Sequence, residues 1–292
     1  MNINDVKKVA VVGAGNMGHQ IATLCAMHGY DTYVTDAYPA QLKKAKAFVD
    51  EYLPGRVAKG RITQEECDQA FANIHFVEDF TEAVKDADIV VEAAFEQLEL
   101  KKTIFRQLDE ACKPEALLVT NASFICTSEV KDSVKNPGRL CNMHFFNPAL
   151  VMKCVEVMRG EHTAKETFET IVAFAERLGK VPAKIQRELR GMIGSRFNRV
   201  LAEEALAILE GGYAAAEDID IVAETGLGYA MGPLRLLDLT GIDLHYIVAM
   251  DNYRQSGDRE DLPWPTVVQK YHAGEWGRKT GKGFYDYTGE KK

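Results

Sequence analysis

A chain of 292 residues with 46% hydrophobic and 27% charged residues has the size and composition of a soluble enzyme with room for two domains. Its 35 basic against 43 acidic residues give a formal charge of -8, which argues against nonspecific binding to nucleic acid or to an anionic membrane surface. No apolar run approaches membrane-spanning length.

The first strand is expected at Val9 to Val12, early enough to leave no room for a signal peptide. It opens into Gly13-Ala14-Gly15-Asn16-Met17-Gly18 and then an amphipathic helix in which Ile21, Leu24, Cys25 and His28 share a face and Gly29 suits the stop. The glycines have separate tasks. Gly13 makes the tight turn, Gly15 lets a pyrophosphate approach the backbone, and Gly18 allows helix-on-strand packing. A second strand, Thr32 to Thr35, ends in Asp36, eighteen residues after Gly18. An acid there can bond both ribose hydroxyls of an adenosine and repel the extra phosphate of NADP. Without the flanking strands and helix the glycine pattern would be weak evidence. With them, a dinucleotide site is favoured over a bare turn.

Between Asp36 and the next strand, Ile74 to Phe76, there are more residues than one crossover helix needs, enough for a helical hairpin turning at Pro54-Gly55. Lys43, Lys44, Lys46, Arg56, Lys59 and Arg61 face only Asp50 and Glu51 there. On the residues alone, a solvated helix face competes with a surface for a polyphosphate partner. Strands at Ala87 to Glu92 and Leu117 to Thr120 follow, with Leu98, Ile104, Phe105, Leu108 and Cys112 lining a helix between them. This alternation is that of a doubly wound α/β fold.

Asn142 to Phe146 and Cys154 to Met158 read as strands with Pro148 between them, and His144 and Glu156 are equidistant from Leu150. An antiparallel hairpin would set the two side chains opposite one another, and a carboxylate on one imidazole nitrogen leaves the other free to exchange a proton with substrate. The alternative is a half-buried histidine satisfied by a neighbouring strand. A further helix, with Phe168, Ile171, Val172, Ala175 and Leu178 inward, leads to a strand at Val181 to Ile185. The polar stretch from Gln186 to Gly191 marks the expected boundary between domains 1–186 and 187–292. Beyond it Phe197 to Glu210, Asp218 to Glu224 and Leu234 to Ala249 read as helices. Six cysteines form no C-x-x-C pair and read as reduced packing thiols of a cytoplasmic protein, and no histidine cluster implies a metal.

The motifs GAGNMG, VEAAFEQLELKK, HFFNPALVMKCVEV, MGPLRLLDLTGIDL and GRKTGKGFYDY, spread over nearly the whole chain, together carry a resemblance. The chain resembles the L-3-hydroxyacyl-CoA dehydrogenases, and within them the stand-alone bacterial 3-hydroxybutyryl-CoA dehydrogenases. The resemblance implies a Rossmann-type doubly wound sheet with a helical arm at about residues 38–72, followed by an all-α C-terminal dimerisation domain. It implies NAD as cofactor, an acyl-CoA such as acetoacetyl-CoA as substrate, and a homodimer. By motif, His144 matches the catalytic histidine, Glu156 its carboxylate partner and Ser123 the serine that contacts the substrate oxygen. Gly13, Gly15, Asn16, Met17, Gly18, Asp36, Glu96, Lys101 and Asn121 fall at cofactor-lining positions. Arg56, Lys59, Ser123 and Asn147 fall on the substrate side, which turns the basic hairpin into a CoA surface.

Two positions depart from the family pattern. After the domain boundary the family reads Pro-Gly-Phe, two small apolar residues and Asn-Arg, whereas here Ser195 stands where the active-site asparagine is expected. A hydroxyl is shorter and offers one donor instead of an amide's two. Phe124 replaces a common second serine. Two other readings stay open: a dehydrogenase of a free hydroxy acid or a different hydroxyacyl thioester, and a non-catalytic cofactor-binding relative.

Overall fold

The computed structural model describes residues 1–289. The chain folds as two compact units, Met1–Ile193 and Gly194–Lys292.

The first unit is built on one eight-stranded sheet: β1 (Lys8–Val12), β2 (Asp31–Thr35), β3 (Ile74–Phe76), β4 (Ile89–Glu92), β5 (Leu117–Thr120), β6 (Leu140–Phe145), β7 (Cys154–Met158) and β8 (Val181–Ile185). The order is β3-β2-β1-β4-β5-β6-β7-β8. Every neighbouring pair is parallel except β6 and β7. The order reverses at β1, which lies between β2 and β4, and this is where a doubly wound sheet opens a crevice for a ligand. Both faces are covered. Val9 and Val11 of β1 point into one core, with Ile89 and Val91 of β4, while Ala10, Val12 and Val90 point into the other. That period of two on a wholly buried strand explains the unbroken apolar runs in the sequence.

The helices of this unit are α1 (Asn16–Met27), α2 (Pro39–Ala58), α3 (Gln64–Ala72), α4 (Phe80–Val84), α5 (Leu98–Ala111) and α6 (Lys165–Arg177). The arm after β2 corrects one expectation, because the hairpin does not turn at Pro54-Gly55. Helix α2 runs through Pro54, carried by a continuous stripe of buried Leu42, Ala45, Val49 and Leu53 at helical spacing, while Pro54 itself is exposed. The reversal comes at Lys59 to Arg61, where Gly60 has φ +60°. Thr63 then starts α3: its hydroxyl accepts from the Glu66 amide at 3.1 Å, and the Glu66 carboxylate accepts from the Thr63 amide at 2.7 Å.

The second unit is helical: α7 (Ile193–Glu210, all but its first residue), α8 (Ala216–Ile221), α9 (Pro233–Thr240), α10 (Ile242–Ser256) and α11 (Pro265–His272). The single helix expected over Leu234 to Ala249 is two, broken at Gly241, whose φ of 102° no ordinary helix residue adopts. Its core joins Ala202, Ala205, Leu206, Leu234, Leu237, Ile242 and Val267. The closing GFYDY segment is pinned by buried Asp238, which accepts from the Phe284 and Tyr285 amides and from the Tyr287 hydroxyl at 2.9 to 3.0 Å.

Candidate active site

The crevice begins at the loop between β1 and α1. A Cβ on Gly13 would lie 2.7 Å from the Ala93 carbonyl oxygen, and one on Gly18 would lie 1.7 Å from that of Gly13. At both positions only glycine fits. At Gly15 a Cβ would meet nothing within 4 Å. The packing therefore demands the outer two glycines, while the middle one borders open space at the helix N-terminus. No side chain caps α1 there, so the amides of its first turn, from Asn16 through Gly18, are available to an anion. Met17 packs its half-buried side chain against the core beneath. These features fit the pyrophosphate of a dinucleotide. At the end of β2, Asp36 accepts from the Ala14 amide at 2.7 Å and the Tyr38 amide at 2.8 Å, which fixes the carboxylate beside the glycine loop.

The β6–β7 hairpin sets His144 directly opposite Glu156. His144 Nδ1 lies 2.9 Å from Glu156 Oε2, and His144 Nε2 lies 3.0 Å from Ser123 Oγ. An ionised carboxylate can only accept, so opposite it Nδ1 carries a proton, and in the neutral imidazole Nε2 is left to accept from the serine hydroxyl. Glu156 is 2% exposed, and its Oε1 accepts from the Ile193 amide at 2.8 Å. A carboxylate held on both oxygens cannot swing away from the imidazole. The second nitrogen meets the Ser123 hydroxyl, a geometry that suits proton exchange and equally satisfies a buried histidine.

Ser123 is held by its own loop. The Glu96 carboxylate accepts from the amides of Ser123, Phe124 and Ile125 at 3.3, 2.8 and 2.9 Å. Asn121 Oδ1 accepts from the Phe145 amide at 2.9 Å, tying the same loop to β6. Asn147, just past β6, accepts from the side-chain amide of Asn16 at 3.1 Å and so joins the hairpin to the dinucleotide loop. In the arm, Lys46 is paired with Asp50 at 2.8 Å, whereas Arg56 and Lys59 have no carboxylate within 4.0 Å among the described residues. Ser195 lies in the first turn of α7, in the second unit.

Lys101, expected at a cofactor-lining position, is engaged in a buried ion pair. It is 1% exposed, and its ammonium donates to both oxygens of Glu92 at 2.7 Å. Glu92, at the end of β4, also accepts from Thr120 Oγ1 at 2.7 Å and from the Ala94 amide at 2.8 Å. This buried cluster braces the two loops that carry Glu96 and Ser123. Sequence reasoning missed Glu92, although an acid closing the apolar run Ile89-Val90-Val91 was the available signal. The cysteines are free thiols, and burial raises Cys112 and Cys126 to about 11 and Cys141 to about 12, which suits these three to packing rather than to nucleophilic chemistry. Among the described residues no cluster of histidine, cysteine and acidic side chains is suited to a metal, and no helix is long and apolar enough to cross a membrane.

A glycine loop with an acid at the end of the next strand, together with a hydrogen-bonded His–Glu–Ser array, fits a dinucleotide-dependent oxidoreductase. Residues 8–188 match the NAD binding domain of 3-hydroxyacyl-CoA dehydrogenase, and residues 191–287 match the C-terminal domain of that family. The chain is similar to the 3-hydroxybutyryl-CoA dehydrogenase of Clostridioides difficile, with 34% identity over 96% of this chain and 99% of that one. It is also similar to the 3-hydroxyadipyl-CoA dehydrogenase of Escherichia coli K12, with 38% identity over all of this chain, which spans 61% of the length of that relative. The crystal structure of (S)-3-hydroxybutyryl-CoA dehydrogenase from Ralstonia eutropha superposes with a TM-score of 0.90 at 32% identity, covering 97% of this chain and 100% of that one. The chain belongs to the 3-hydroxyacyl-CoA dehydrogenase family, NAD-dependent oxidoreductases whose first domain binds the cofactor.

Proposed function

We propose that the protein is an NAD-dependent (3S)-3-hydroxyacyl-CoA dehydrogenase that reversibly reduces acetoacetyl-CoA to 3-hydroxybutyryl-CoA, with His144 as the acid/base. The observation that carries this reading is the array Ser123 Oγ, His144 Nε2, His144 Nδ1 and Glu156 Oε2, with contacts of 3.0 and 2.9 Å, beside the glycine loop. When bound, the nicotinamide supplies or takes the hydride at substrate C3. In oxidation, neutral His144 takes the hydroxyl proton on Nε2, and Glu156 stabilises the imidazolium that forms. In reduction, the imidazolium returns that proton to the oxygen. Ser123 donates to the same oxygen and holds it within reach of the imidazole. Gly15 and the first turn of α1 hold the pyrophosphate and Asp36 the adenosine ribose, with Glu96 and Asn121 fixing the loop that faces the nicotinamide.

The substrate is an acyl-CoA, and its phosphates are taken by Arg56 and Lys59. The protein acts in the cytoplasm as a homodimer through its second unit, a reading supported by the exposed Phe197, Val200, Leu239, Leu244 and Ile247 there. A second acyl group has a specific observation behind it, since the Escherichia coli relative is named for 3-hydroxyadipyl-CoA. Following NADH loss with acetoacetyl-CoA, 3-oxoadipyl-CoA and free acetoacetate separates the readings. The highest kcat/KM is expected for acetoacetyl-CoA. A preference for the dicarboxylic thioester or for the free acid would reassign the substrate.

A further inference from the structure

Lys180 leads into β8 and is 8% exposed, yet it has no carboxylate partner among the described residues. Burial alone holds its ammonium below the usual lysine range. A buried charge without a counter-ion costs stability unless its hydrogen bonds are supplied. Here they come from one segment: Nζ donates to the carbonyl of Ala149 at 2.6 Å and to that of Met152 at 2.8 Å. Both carbonyls belong to the connection between β6 and β7, the segment that separates His144 from Glu156. The same connection folds back on Pro148, whose carbonyl accepts from the Val151 and Met152 amides at 3.0 and 2.9 Å. Its end is held by β8, where the Val181 amide donates to the Lys153 carbonyl at 2.8 Å. Its start carries Asn147, bonded to Asn16 of the dinucleotide loop. Lys180 therefore anchors a loop that touches both the acid/base hairpin and the cofactor loop, and it does so with charged donors, about twice as strong as neutral ones.

We propose that Lys180 is a positioning residue for the dehydrogenase reaction, its ammonium clamping the Ala149 and Met152 carbonyls so that His144 and Asn147 are presented in fixed geometry. This role rests on the function proposed above, so the test includes a readout that needs no substrate. Lys180→Met removes the donors and keeps an unbranched apolar chain. Lys180→Gln keeps a shorter amide donor and serves if the first variant does not fold. Amide hydrogen exchange at Val151 and Met152 should accelerate by about tenfold in Lys180→Met, while amides of the central strand β5 exchange as in the parent protein. On acetoacetyl-CoA, kcat per folded active site should fall by about fivefold to fiftyfold, with a smaller change in KM. Lys180→Gln should fall between the two. A role in stability alone would lower the melting temperature and leave both the local exchange and kcat unchanged, which overturns the proposal. Faster loop exchange with parental kcat overturns it too. If the parent protein turns over no acyl-CoA, the functional reading fails by itself, and the exchange measurement still decides whether Lys180 holds the loop.

Discussion

His144 and Glu156 face one another as a register pair of the antiparallel strands β6 and β7, with Nδ1 and Oε2 2.9 Å apart and the carboxylate 2% exposed. The antiparallel register sets the two side chains opposite one another on neighbouring strands, within reach of a direct contact. The second carboxylate oxygen is held by the Ile193 amide, which restrains Glu156 in the orientation that meets the imidazole.

Asp36 predicts cofactor choice. Its carboxylate is fixed by the Ala14 and Tyr38 amides, so it cannot turn away from an added phosphate. Two unit charges about 4 Å apart at an effective dielectric near 20 repel by roughly 4 kcal/mol. NADH should exceed NADPH in kcat/KM by at least about a hundredfold, and Asp36→Ala should narrow that gap. Comparable efficiency with both cofactors in the parent protein would remove Asp36 from this role.

The arm predicts a salt-dependent KM. Arg56→Ala combined with Lys59→Ala should raise the KM for acetoacetyl-CoA while leaving the KM for NADH in place. The penalty should be largest at low ionic strength, where attraction to phosphate is least screened. A KM that does not respond to the double substitution at any salt concentration would make this face an ordinary solvated one.

The pair of Lys101 and Glu92 predicts a stability effect. With side-chain exposures of 1% and 0%, either partner left alone is an uncompensated buried charge. Lys101→Met should destabilise by about 3 to 5 kcal/mol in urea unfolding, and adding Glu92→Leu should recover a large part of the loss. If Lys101→Met unfolds at the parental urea midpoint, the pair does not brace the two loops.

Ser195 predicts a gain. If the family asparagine acts from this first turn of α7, its absence leaves the substrate oxygen to His144 and Ser123. One neutral hydrogen bond is worth about 0.5 to 1.5 kcal/mol, so Ser195→Asn should raise kcat/KM on acetoacetyl-CoA by about threefold to tenfold with little change in NADH affinity. A folded Ser195→Asn protein with lower activity would mean that the site is built around serine.

Much of this was legible in the chain because the informative spacings are local. The glycine loop is specified within six residues, and the register of His144 and Glu156 follows from two strands placed symmetrically about Leu150. The misreadings have physical causes. Pro54-Gly55 carries a strong turn signal, but the buried stripe from Leu42 to Leu53 holds α2 together past it. Gly241 sits inside an apolar periodic run, and only its positive φ, fixed by tertiary packing, splits the helix. The buried roles of Lys101 and Lys180 are not legible locally because their partners, Glu92 and the carbonyls of Ala149 and Met152, come from other elements, 9 to 31 residues away in sequence. Composition and periodicity carry no information about such pairings.

Proton transfer by His144 in an NADH-dependent reduction of acetoacetyl-CoA is the step on which the proposed chemistry depends. The most direct test measures single-turnover NADH oxidation by the parent protein and by His144→Ala, alongside NADH binding by fluorescence. Rapid turnover is expected in the parent and a loss of about 100- to 10,000-fold in His144→Ala, with NADH affinity nearly unchanged. Parental rates in His144→Ala, with chemistry shown to be the slow step, would contradict the acid/base role.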